Sequence, residues 1–208
     1  MLDVSLRGAA FRILQGVTFT VPRSTHAAIA GAPSCGASTL LRLIAGHERP
    51  DSGEIVLGQR RVNDLKASAR PLLLATSEPD VPGRWSVEHA LVAAVRTRSL
   101  DREDRHREYR LAAEKWELES LLSRRISTLS STEATRVQLA RIELLRPGIL
   151  LADRVLERAG ASARTQLADM FYRTLRVAGT TVIAAPASRE ELAFVDAVIV
   201  LDRGRVIQ

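Results

Sequence analysis

The first third of the chain alternates short apolar runs with turn residues. Leu2 to Leu6, Val17 to Val21 and Ala27 to Ala30 have the length and composition of strands. Ser38 to Ala45 has helical spacing and ends at Gly46, a residue suited to the left-handed cap of a helix. Asp51-Ser52-Gly53 predicts a turn into a strand over Glu54 to Leu57, Gly58 turns the chain again, and Leu72 to Ala75 is a short buried strand. From Ser86 to about Leu122 the pattern becomes polar and helical, with Val87, Leu91 and Val95 and then Leu111 and Trp116 as its apolar positions. A long helix is predicted over Thr132 to Leu145, followed through Pro147 by the strand Ile149 to Ala152. A helix over Ala163 to Val177, a strand over Thr181 to Ala185, a short helix over Ser188 to Phe194 and strands at Ala197 to Leu201 and Arg205 to Ile207 complete the chain. Strands alternating with helices in the second half predict a largely parallel, helix-covered sheet.

The size of 208 residues suits one domain, 1–208, with a helical sub-lobe at about 80–130. Hydrophobic residues make up 46% and charged residues 26%, which excludes a disordered chain, and no apolar run is long enough to span a bilayer. The start Met1-Leu2-Asp3-Val4-Ser5 has neither a basic segment nor an apolar core, so no secretory signal is read there. One cysteine excludes an internal disulfide framework and fits a reducing, cytoplasmic compartment. The net charge of +6 comes almost wholly from arginines, since Lys66 and Lys115 are the only lysines. Acids are interleaved with them, as in Asp101-Arg102-Glu103-Asp104-Arg105, which reads as a solvated surface, so no specific nucleic acid is expected. His26, His47, His89 and His106 have no metal-ligand spacing.

The most informative stretch is Gly31-Ala32-Pro33-Ser34-Cys35-Gly36-Ala37-Ser38-Thr39 between a predicted strand and a predicted helix. A phosphate loop of this kind needs a glycine, four residues, then Gly-Lys-Ser/Thr: glycines let the backbone wrap phosphates, the lysine neutralises them and the hydroxyl holds magnesium. Gly31, Gly36 and Ser38 have the right spacing, but the lysine position is Ala37, and Pro33 has no amide hydrogen to offer. Cys35 reads as a small residue filling the loop, and Trp85 and Trp116 as packing anchors.

The neighbouring residues decide the matter. The run Leu40 to Gly46 with Pro50-Asp51-Ser52-Gly53-Glu54-Ile55, the segment Leu129-Ser130-Ser131-Thr132-Glu133 with Arg136 to Arg141, the approach Pro147 to Asp153 and the ending Val198 to Val206 together resemble the ATP-binding subunits of ABC transporters, in order and over essentially the whole chain. The resemblance implies an α/β fold: a P-loop NTPase-like ABC nucleotide-binding domain with a mostly parallel sheet core, N-terminal antiparallel strands and a helical sub-lobe. It puts Gly31, Gly36, Ser38, Thr39 and Asp153 at the nucleotide, with Ser38 and Asp153 on a magnesium ion that comes only with nucleotide. It puts Ser130, Ser131 and Thr132 at the signature segment, where the family's two glycines become Ser131 and Thr132.

Within that frame the family's active residues are replaced. Arg154 follows Asp153 where the family has a glutamate that activates water, and a guanidinium is no base at ordinary pH. Ser77 stands for the Q-loop glutamine, Ala187 for the switch histidine, and Glu157-Arg158-Ala159-Gly160 for the D-loop pattern. Phe11 is the one candidate for the adenine-stacking ring. Losing the lysine costs about tenfold to a hundredfold in phosphate affinity, and losing the base typically costs ~10²–10⁴ in rate. Arg154 has three open readings: pairing with Asp153, reaching an anion in the loop, or facing solvent. Ser130, without its glycines, reads as a helix cap.

The expectation is a catalytically inactive or severely impaired homologue that acts through protein contacts with a membrane permease or an active ATPase subunit. It would sit at the inner face of the membrane where a permease holds it, with about Ser77 to Leu100 as the permease-facing surface. No cofactor beyond weakly held Mg-ATP and no ATP-sandwich homodimer are expected. The alternatives are a divergent ATPase that still hydrolyses slowly, and a soluble regulator or nucleic-acid binder that reuses the fold.

Overall fold

The computed structural model describes residues 3–207 and divides the chain into two compact units. The first holds the residues up to Leu74, Pro147–Arg154 and those from Leu175 on; the second holds Ala75–Arg146 and Val155–Thr174. The expected lobe at 80–130 falls inside the second unit.

The first unit contains two sheets. Strands β1 (Val4–Phe11), β2 (Leu14–Val21), β4 (Ser52–Leu57) and β5 (Arg60–Arg61) form one in the order β2-β1-β4-β5, with every pairing antiparallel. The other has the order β10-β9-β3-β8-β7-β6, from β3 (His26–Ala30), β6 (Leu73–Ala75), β7 (Ile149–Asp153), β8 (Thr181–Ala185), β9 (Ala197–Asp202) and β10 (Arg205–Val206). Strand β3 runs parallel to β8 and β9, β7 parallel to β8, and β10 antiparallel to β9. Helix α1 (Ala37–Ala45) follows β3 and buries Leu40, Leu41, Leu43 and Ile44 in one apolar core with Leu6, Val17 and Ile55 of the first sheet and Ile29, Leu151 and Ile183 of the second. Burial of that kind drives the association of sheet and helix and needs no ligand.

The carbonyl end of α1 is tied down twice. Gly46 adopts φ 84°, its N–H reaches the Leu43 carbonyl at 3.2 Å, and the His47 N–H reaches the Arg42 carbonyl at 3.1 Å. Arg70, only 4% exposed, donates from Nη1 to the Leu43 and Ile44 carbonyls at 2.9 and 2.6 Å.

Helices fill the second unit: α2 (Val87–Val95), α3 (Arg102–Lys115), α4 (Ser131–Leu145) and most of α5 (Ala161–Val177). Trp116 is fully buried, and its indole N–H donates to Glu143 at 2.6 Å. Trp85 stacks on His89 with ring centroids 4.2 Å apart.

Several boundaries differ from the sequence reading. The predicted start of the first strand at Leu2 lies outside the described residues. Strand β1 extends to Phe11 and β2 begins at Leu14, beyond the apolar runs Leu2 to Leu6 and Val17 to Val21, since the pairing continues past bulges around Ala9. The polar run Ser86 to Leu122 is two helices, separated where Asp101 caps α3 through the Asp104 N–H at 2.7 Å. Leu111, read as part of its apolar face, is 58% exposed; Tyr109, Ala112, Ala113 and Trp116 are the buried positions. The predicted helix from Ser188 is a 3-10 turn over Arg189–Phe194.

Candidate functional site

At the end of β3 the chain leaves the sheet through Gly31 to Gly36 and enters α1. An added Cβ on Gly31 would lie 2.2 Å from the Leu201 carbonyl and 2.8 Å from Cys35 Sγ, so only glycine fits. Gly36 has φ 108°, and its Cβ would meet Leu14 and Ile13 side chains at 3.0 and 3.2 Å. Cys35 is 9% exposed and packs into the core, where it acts as a filler. Gly36 occupies the N-cap of α1 with no side chain to satisfy the helix amides, which leaves the positive end of the helix dipole facing the loop.

A cleft of about 550 Å³ opens at this point. Its wall includes Gly31, Gly36, Ala37, Ser38 and Thr39 from the loop and helix, Arg154 from the end of β7, and Ala187 beyond β8. Seven residues singled out from the sequence are thus brought to one place. Asp153 joins them through Ser38, whose hydroxyl donates to Asp153 Oδ1 at 2.9 Å. A hydroxyl and a carboxylate side by side suit magnesium when phosphate oxygens complete its shell. Arg154 has φ 52°, and its N–H donates to the Ala185 carbonyl at 2.9 Å, so the β7–β8 ladder holds its backbone.

Some of the wall was not legible in the sequence. Ile13, 48% exposed at the turn between β1 and β2, reaches the loop although it belongs to no motif. Phe11 is absent from the wall; it packs partly buried against the core with the Arg12 guanidinium 4.9 Å from its ring centre. Behind Ala187, the buried Glu191 carboxylate accepts the N–H groups of Ala187 and Ser188 at 2.9 and 3.2 Å.

Ser77, Ser130, Ser131 and Thr132 belong to the second unit. Next to Ser77, Glu78 pairs with Arg158 at 2.8 Å. Ser130 caps α4: its hydroxyl accepts the Glu133 N–H at 3.3 Å, and the Glu133 carboxylate accepts the Ser130 N–H at 2.7 Å, a reciprocal capping box. Donation from the Ser130 backbone holds the Glu133 carboxyl below its ordinary range against the opposing effect of burial. The Thr132 hydroxyl accepts the Gly160 N–H at 3.0 Å.

Taken together, a glycine loop between a parallel strand and a buried helix, with Ser38 held to an aspartate at the end of β7, marks a P-loop NTPase-like class of protein. The chain belongs to the ABC transporter family, whose match spans residues 14–156. It is 31% identical over 196 residues to the sn-glycerol-3-phosphate import ATP-binding protein UgpC of Rhizobium meliloti, covering 94% of this chain and 56% of that protein. Its identity to the UgpC of Brucella abortus is 29%, over 97% of this chain and 58% of the relative. The chain thus spans a little over half the length of these curated relatives.

Among solved structures, the ATP-binding cassette MJ0796, described as a dimeric post-hydrolysis state bound to ADP and Pi, matches with a TM-score of 0.84 at 19% identity, covering 99% of this chain and 97% of that one. The structure of cbiO1 from Clostridium perfringens, described as part of the transporter complex cbiONQ, matches with a TM-score of 0.83 at 20% identity, over 99% and 86%. These likenesses establish the cassette fold, with its antiparallel sheet and mostly parallel sheet. Family membership groups the chain with cytoplasmic, membrane-peripheral ATP-binding subunits, and no described helix is long and apolar enough to cross a membrane.

Proposed function

We propose that this chain is an ABC-type ATP-binding subunit homologue that has lost ATP hydrolysis and acts through protein contacts, with a membrane permease or an active ATPase subunit as its partner. The observation that carries the reading is Arg154. It stands at the end of β7, directly after Asp153 and on the wall of the loop cleft, where the resemblance calls for a carboxylate base. A guanidinium stays protonated and accepts no proton from water. Ala37 and Ala187 on the same wall support the reading, since neither brings a lysine charge or a switch imidazole.

Ser38 and Asp153 would hold magnesium when it arrives with a nucleotide, and the ion would neutralise phosphate charge there. That intact pair also favours the second reading, a divergent ATPase that turns over slowly. The segment from about Ser77 to Leu100 is the proposed permease-facing surface.

The pseudo-enzyme reading extends to assembly. MJ0796 is described as dimeric with ADP and Pi, but an ATP-sandwich homodimer needs a charged loop opposite open signature amides. Here the loop has Ala37, and Ser131 and Thr132 replace the signature glycines, so side chains stand where open amides are needed. Phosphate release from Mg-ATP, followed beside light scattering, tests both statements. No turnover above background and no ATP-driven dimer are expected. Turnover that Asp153→Asn abolishes would overturn the first statement, and an ATP-driven dimer the second.

A further inference from the structure

Resting on the reading of the loop cleft as an altered nucleotide site, we infer that Arg154 supplies from the end of β7 the cation that the loop lacks at Ala37. The cleft then holds the phosphate end of its ligand and has little selectivity for the base.

Three observations converge. The cleft keeps what a phosphate needs from the backbone, namely Gly31 and Gly36, which admit no side chain, and the uncapped amino end of α1. Arg154 is the only lysine, arginine or histidine on the wall among the described residues, and its backbone is fixed by the 2.9 Å bond to Ala185. A guanidinium presents planar paired donors that match phosphate oxygens two at a time, and it stays charged throughout the working pH range. The neighbouring Asp153 carboxylate, which would oppose an anion, accepts the Ser38 hydroxyl and lies where magnesium would offset its charge.

The base end of the cleft points the same way. A stacking ring is worth roughly tenfold to a hundredfold per base. Here Phe11 is off the wall under Arg12, and the exposed side chain in reach is the aliphatic Ile13. Recognition therefore runs through the phosphates. At this position the same side chain leaves the site without a base and brings it a cation.

The test is calorimetric titration of the full chain with Mg-ATP, Mg-GTP and magnesium tripolyphosphate. It compares the wild type with Arg154→Gln and Arg154→Lys, each checked for an unchanged melting temperature. The three ligands should bind the wild type within about threefold of one another, and Arg154→Gln should weaken all three about tenfold or more. Arg154→Lys should keep most of the affinity, since it keeps the charge.

Unchanged affinity in Arg154→Gln, no binding of any ligand by the wild type, or a preference of about tenfold or more for ATP over tripolyphosphate would overturn the inference. Phosphate release measured on the same samples separates the two claims. Turnover abolished by Asp153→Asn overturns the pseudo-enzyme reading alone. An indifferent Arg154→Gln without turnover overturns this inference alone.

Discussion

Helices α1 and α4 carry the two segments that resemble the family's phosphate loop and signature, and their amino ends are built in opposite ways. Helix α1 begins at a glycine that contributes no cap, so its first amides face a cleft. Helix α4 begins at Ser130, which exchanges two hydrogen bonds with Glu133, and Thr132 is held by Gly160. One amino end has no side-chain cap, while at the other the Ser130 hydroxyl takes up the Glu133 N–H and the Glu133 carboxylate takes up the Ser130 N–H. A helix start can bind a phosphate only while its donors are unspent. The phosphate loop thus keeps the first amides of α1 clear of a side-chain cap, and its own residues from Gly31 to Thr39 bring no cation.

The comparison can be broken first at the other end of α1. Arg70→Ala removes the guanidinium from the Leu43 and Ile44 carbonyls, of which Leu43 keeps the Gly46 N–H, and should lower unfolding free energy by about 3 kcal/mol. Urea denaturation measures this. If instead Arg70→Ala is neutral, the helix is held by its apolar face alone.

Ala37→Lys sharpens the contrast at the open end. A lysine returned to a loop that keeps Gly31, Gly36 and Ser38 should raise Mg-ATP affinity about tenfold to a hundredfold. Hydrolysis should stay absent until Arg154→Glu and Ala187→His are added. A lysine variant that binds no better than wild type would mean that the loop, with Pro33 in it, has lost its phosphate-binding shape or that Arg154 already supplies the charge, and the same change in the Arg154→Gln background separates the two.

The smallest effect belongs to α4. Ser130→Ala should cost about 1 kcal/mol and leave nucleotide affinity at the loop unchanged. The box also has a pH signature. The Glu133 carboxyl is held below its ordinary range in the folded chain, so the stability it contributes is complete above the unfolded value and is lost as pH falls through the folded one. Glu133→Gln, which takes away the titrating carboxyl that the Ser130 N–H stabilises, should therefore flatten the acid side of the stability curve, read from urea midpoints across pH. An acid limb as steep as that of wild type would show that other carboxylates set it.

Much of the fold could be read from the chain because its cues are local. Runs such as Ile149 to Ala152 and Thr181 to Ala185 carry their strand character in adjacent residues, and Gly46 marks the end of α1 within one turn. The positions of Gly31, Gly36 and Ser38 were legible for the same reason, since a loop that wraps an anion constrains a few consecutive residues. Helix phase was less secure where apolar residues were sparse. In α3 the small Ala112 and Ala113 turn inward with Tyr109, and Leu111 faces solvent.

What only the tertiary structure decided is which distant groups meet. Ser38 and Asp153 are 115 positions apart, and their 2.9 Å bond exists because α1 and the end of β7 share one core. Arg154 lines the loop cleft because β7 pairs with β8, and Ile13 enters it because a hairpin turn reaches Gly36. Phe11 packs partly buried against the core beside the Arg12 guanidinium and is not on that wall. Residue spacing encodes backbone shape over a few positions, where steric and hydrogen-bonding preferences act. The placement of a charge beside a loop depends on strand order and burial summed over the whole unit, and no local stretch of sequence contains that sum.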